Sequence, residues 1–265
     1  MKGSVTNKSS DTDVLVLAIH YFPKLKAIEA LWIEKGKVTA TADLRTLVPV
    51  HEICSNIDET VPQILPAIHA LTGCDSTSSF YGVGKKKVWK TIQMLCAKRS
   101  LPSLDHLNTD DITQAIEASR IFIASLYDPA GRFQDSHGDL SKLRIELIGR
   151  DTPLQRIPPS EPSFEEHVKR VVYQVKIWLS SHEAKPDIPS PEGNGWYKMD
   201  VWKPKRFDGP TAAEMLVELL CSCRGRSPCA SNCTCTKNGA LKSVSVKKLI
   251  NVNDLSTQVE ITEEQ

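Results

Sequence analysis

The sequence predicts a mixed α/β fold: a small, mainly parallel sheet flanked by helices, followed by a helical segment and an irregular cysteine-rich tail. Three observations predict it. Val14 to Phe22, VLVLAIHYF, is a short apolar run rich in β-branched residues, bounded by Asp13 and Pro23. That pattern reads as a buried parallel strand, with Val14 to Ile19 at the centre of the sheet. The stretch AIEALWIEKGKVTAT alternates loosely on either side of Gly36, as two strands joined at a turn would. Two later segments, VWKTIQMLC and Ser163 to Ser181, carry apolar residues at helical spacing; in the second these are Val168, Val171, Val172, Val175 and Leu179.

The remaining elements follow in order. Residues 1–10 are polar and are expected to be disordered. Val50 to Leu71 reads as helical, with Thr60 as cap and Pro62 in the first turn. Asn108 to Leu126 gives another helix capped at Thr109, and Ser163 with Glu166 forms a capping-box pattern. Lys185 to Pro210 is rich in proline and holds Trp196 and Trp202, so it reads as an irregular linker that packs its aromatics. The expected division is 11–128 as the α/β domain, 129–210 as helical extension and linker, 211–240 as a cysteine-rich segment and 241–265 as a flexible tail.

A net charge of +1 over 265 residues excludes a molecule that binds nucleic acid by its overall field; such contact must come from local patches. No apolar run reaches the roughly 18 residues of a membrane span. The N-terminal residues have no apolar core of a secretory signal, which makes nucleus or cytoplasm the expectation. Cys54, Cys74 and Cys96 stand singly in apolar sequence as reduced core residues. His20, His51 and His69 read as structural histidines, and His137 in QDSHGD as part of a turn.

Asp11 and Asp13 precede the Val14 run, and Asp75 follows a helix. Carboxylates spaced i, i+2 in extended backbone share a side, and a third from a distant loop completes a group that holds Mg²⁺ or Mn²⁺. The other reading makes Asp11 and Asp75 caps of their turns. Gly82 and Gly84 permit close approach of a backbone to a phosphate, and Lys85, Lys86, Lys87 and Lys90 add a local positive patch at a helix start. The alternative is a tight loop with solvated lysines.

Ala70 to Lys90, ALTGCDSTSSFYGVGKKKVWK, resembles the region of flap endonucleases in which an apolar helix ends in Gly-x-Asp and a glycine turn leads into the next helix. DTDVLVLA resembles the acidic-strand motif upstream of it. With SLYDPAGRF, RIPPSEPSFEEHV and LLCSCRGRSPC, the resemblance extends from Asp11 to Cys235 and is strongest to PIN-like, flap-endonuclease-like proteins associated with animal mobile elements. It implies a metal-dependent nuclease fold with Asp11, Asp13 and Asp75 at metal-ligand positions, and DNA-backbone contacts from Gly82, Gly84, Lys85, Lys86, Lys87 and Lys90. The family places further acidic residues ahead of the DTD motif, where this sequence holds ten residues. The resemblance therefore implies a partial nuclease domain that binds DNA without efficient cleavage, or an active Mg-dependent endonuclease once the missing half is supplied.

Cys221, Cys223, Cys229, Cys233 and Cys235 crowd into fifteen residues. C-x-C pairs at both ends suit a tetrahedral zinc site, which would make the tail a zinc-stabilised interaction module. The spacing is similar to the first half of the CXC modules of chromatin proteins. An unmetallated tail or disulfides are the alternatives.

Overall fold

The computed structural model describes residues 3–205, apart from 40, 41, 110, 149 and 151. The fold is mixed α/β and dominated by helices. Its elements are β1 (Gly3–Lys8), α1 (Thr12–Tyr21), β2 (Ile28–Lys35), β3 (Thr46–Pro49), α2 (Val50–Ser55), α3 (Val61–Leu71), α4 (Lys85–Ala97), α5 (Ile112–Tyr127), α6 (Leu140–Ile148), α7 (Glu161–Leu179), β4 (Trp196–Lys198) and β5 (Trp202–Pro204).

The largest departure from expectation is α1. Val14 to Ile19 is helical, not a central strand. The Asp11 carboxylate accepts the Asp13 N–H at 2.8 Å and so caps the helix, while Val16, Ile19 and His20 turn one face inward. A cap plus a buried face at helical spacing outweighs the modest strand preference of Val14, Val16 and Ile19. The sheet is also not mainly parallel. β1 pairs parallel with β2, and β2 pairs antiparallel with β3. Residues 3–8, expected to be disordered, supply the exposed edge strand of that sheet. Lys185 to Pro210 likewise contains structure, the β4–β5 hairpin.

At α5 the boundary moved to a nearby acceptor, whereas α7 starts earlier without a side-chain cap bond. Asp111, not Thr109, caps α5 by accepting the Gln114 N–H. α7 begins at Glu161 behind Ser160, so Ser163 and Glu166 lie inside it. Thr60 precedes α3 as expected but makes no capping bond; its hydroxyl donates to Asp58.

The main core surrounds α3, which is buried almost all round, as its lack of a polar face requires. Ile64, Ile68 and Leu71 meet Phe122, Ile123 and Leu126 of α5 and Phe164, Val168 and Val171 of α7 in one cluster. A smaller cluster of Ile19, Leu31, Ile33 and Val50 seals α1 and α2 against one face of the sheet. His51 donates to the Leu31 carbonyl at 3.1 Å and meets the Trp32 ring edge-on.

Candidate nucleic-acid interface

The loop between α3 and α4 is built by the carbonyls at the end of α3. A buried helix end leaves four carbonyls without intrahelical donors. All four are satisfied here. Ile68 O accepts the Thr72 hydroxyl at 2.8 Å, His69 O the Lys85 ammonium at 3.0 Å, Ala70 O the Thr77 hydroxyl at 2.6 Å, and Leu71 O the His167 Nε2–H at 2.9 Å. Gly73 turns the chain with φ +105°, and a Cβ there would lie 2.8 Å from Ser79 Cα. Much of the TGCDSTS string thus serves to close α3.

Lys85 belongs to that closure rather than to a DNA surface. Its Nζ also donates to Thr72 Oγ1 at 2.9 Å and Gly73 O at 2.7 Å. Its stem is exposed while the ammonium turns inward, and burial pushes its pKa down. Lys87 is likewise drawn to one side, its Nζ 5.6 Å from the centre of the Tyr127 ring.

The three aspartates do separate jobs. Asp11 caps α1. Asp13 Oδ1 accepts the His69 Nε2–H at 2.8 Å, which ties α1 to α3. His69 is buried against Trp178; burial and the nearby Lys85 ammonium lower its pKa, so the contact is a hydrogen bond from a neutral imidazole to a carboxylate. Asp75 lies exposed in the tight turn between Cys74 and Thr77. Among the described residues, no three His, Cys, Asp or Glu side chains are grouped to hold a metal ion. Asp11 and Asp13 each accept one hydrogen bond within the fold.

The glycine turn keeps the shape the sequence suggested. Val83 N–H donates to Phe80 O at 3.0 Å, and Gly82 at the third position has φ +72°, as such a turn requires. Buried Val83 anchors the loop. Nothing lies within 4 Å of a Cβ added at Gly82 or Gly84. Gly84 caps α4 without a side-chain acceptor, and the first turn holds no acidic residue. Lys86 and Lys90, one turn apart, are exposed on α4. Tyr81, which the sequence did not single out, is 66% exposed, the most of any large hydrophobic side chain among the described residues.

No family model, curated protein or solved structure matches this chain. No helix among the described residues is long and apolar enough to cross a membrane. Cys221, Cys223, Cys229, Cys233 and Cys235 lie outside the described residues.

Other strings behind the nuclease resemblance also have architectural jobs. In SLYDPAGRF, the buried Asp128 carboxylate accepts the N–H groups of Arg132 and Phe133 and the His137 Nε2–H. Burial raises its pKa, but these three donors outweigh it and the net shift is downward. In the PSEPSFEEHV stretch, Glu161 accepts the Leu140 N–H at the start of α6 and pairs with Arg120. No sequence signal announces a contact between residues so far apart.

Proposed function

We propose that this chain is a PIN-like protein of mobile-element type that binds the sugar-phosphate backbone of DNA without efficient cleavage on its own. The observation that carries the reading is the start of α4. Its N–H groups have no side-chain cap, open space surrounds Gly82 and Gly84, and Lys86 and Lys90 stand free of acidic neighbours in the first turn. Helix N–H groups and lysines of this kind engage phosphate oxygens irrespective of base sequence. Tyr81 at the loop tip offers a ring to a sugar or an unpaired base. The sequence resemblance to flap-endonuclease-like proteins supports DNA as the polymer.

No step of the proposal runs through a metal. The test is titration of labelled duplex and flapped DNA with wild-type protein and Lys86→Glu/Lys90→Glu. Salt-dependent binding, weakened in the variant, supports the reading. Equal binding by both proteins, or none, overturns it.

A further inference from the structure

We propose that the β4–β5 hairpin binds unpaired nucleotides of a single-stranded nucleic acid, with Tyr197 and Trp202 stacking on bases and Lys198 and Lys203 meeting phosphates. The site lies on a different element from α4 and uses base faces rather than helix N–H groups, so it does not depend on the reading above.

From Tyr197 to Trp202, four of the six residues are large, apolar and exposed: Tyr197 40%, Met199 55%, Val201 62% and Trp202 39%. The other two are Lys198 and Asp200. In the register of the hairpin Tyr197 stands opposite Lys203, and Lys198 opposite Trp202. Directly opposed residues of an antiparallel pair share a face at about 5 Å, and successive residues alternate faces. Each face of the hairpin therefore presents one ring beside one ammonium. On one of them Lys198 Nζ lies 5.9 Å from the centre of the Trp202 ring.

The base of the hairpin is clamped to α7. Buried Arg170 donates from Nη1 to the carbonyls of Gly195 and Lys205, at 3.1 and 3.2 Å. The Lys205 N–H donates to Gly195 O at 2.8 Å and closes the two strands on each other. Gly195, at φ +79°, sits so close to the helix that an added Cβ would lie 2.6 Å from Glu166 O. The exposed rings are thus carried on an ordered base, and a platform ordered in advance loses little entropy when a ligand settles on it.

Trp196 to Lys205 holds three lysines against one acid, Asp200 at the turn. Lys205 pairs with Glu166 at 3.8 Å, whereas Lys198 and Lys203 have no ion-pair partner among the described residues. A ring beside an unpaired ammonium, repeated on two faces, matches a polymer with one flat base and one negative charge per unit. Bases in a duplex are stacked on each other, so the rings select unpaired ones.

Anisotropy of labelled oligo-dT and of a duplex of equal length, titrated with the full chain, tests this. The wild type should bind oligo-dT. Tyr197→Ala and Trp202→Ala should each weaken that binding roughly tenfold, the usual effect of deleting one stacked ring, and should change duplex affinity less than about twofold. Lys203→Gln, at an exposed position, should weaken oligo-dT binding without lowering the melting temperature, which separates loss of the site from loss of the fold. Lys86→Glu/Lys90→Glu should keep most of its oligo-dT affinity, so failure at α4 and failure at the hairpin give different patterns. A wild type indifferent to oligo-dT, or one whose affinity is unchanged in Tyr197→Ala, Trp202→Ala and Lys203→Gln, overturns the proposal and leaves the hairpin as a protein contact or a bare surface.

Discussion

The Pro62 carbonyl accepts the Nδ1–H of His20 at 2.8 Å, and it is free to do so because Pro66 has no N–H. In an unbroken helix the amide four residues later would bond to that carbonyl. Buried His20 replaces the missing donor from a different helix, and its Nε2 accepts from Lys24 at 3.0 Å. Together with Asp13 and His69, this contact pins α1 along α3 at two points.

A double-mutant cycle follows from that pairing. His20→Leu leaves a buried carbonyl unsatisfied and should cost ~1–3 kcal/mol. Pro66→Ala restores the helical donor, so His20→Leu in that background should cost at least about 1 kcal/mol less. Urea unfolding of the four proteins measures the coupling. Additive effects would mean that His20 acts only by packing.

Lys85→Met should destabilise the fold by about 1–3 kcal/mol, because His69 O and Gly73 O lose their donor at the end of α3. DNA affinity of the folded variant should change less than about twofold, since that ammonium faces inward rather than toward phosphate. A large loss of affinity at unchanged stability would return Lys85 to the DNA surface.

Acid should unfold the protein in part through His167. Burial lowers its pKa from 6.5 to about 4, and its Nε2–H donates to Leu71 O. Between those values the unfolded chain binds the proton more readily, so stability falls as pH drops below 6.5 and the loss levels off near 4. The full effect is on the order of 3 kcal/mol. His20 and His69, also lowered, act in the same direction. Urea unfolding across that range should show the slope, and His167→Gln should flatten it.

The sequence made the helices of the core legible because Val168, Val171, Val172 and Val175 repeat at helical spacing. It misled at Val14 to Ile19, where a short apolar run suits a buried strand and a buried helix equally well. Length and cap chemistry then decide, and Asp11 supplied the cap. The glycine turn was legible because Gly82 needs positive φ. The fate of Lys85 was not, since an inward-facing lysine is defined by carbonyls that only the folded α3 presents.

The cysteine-rich segment carries a separate expectation. Cys221, Cys223, Cys229, Cys233 and Cys235 supply thiolates for one tetrahedral zinc, and metal binding can itself order a short segment. Metal analysis of purified protein should give near one zinc per chain, lost on replacing Cys223 and Cys233. Absence of zinc with freely alkylated thiols would remove the site.

The most direct test of the central claim is fluorescence anisotropy with flapped and duplex DNA over a range of salt, with a parallel cleavage assay in Mg²⁺. Binding should weaken with salt. Lys86→Glu/Lys90→Glu should lower affinity on both DNAs and reduce the salt slope by about two, roughly one per lost phosphate contact. Little or no cleavage should accompany that binding. Robust Mg²⁺-dependent cleavage abolished by Asp75→Ala, or binding indifferent to Lys86 and Lys90, would contradict it.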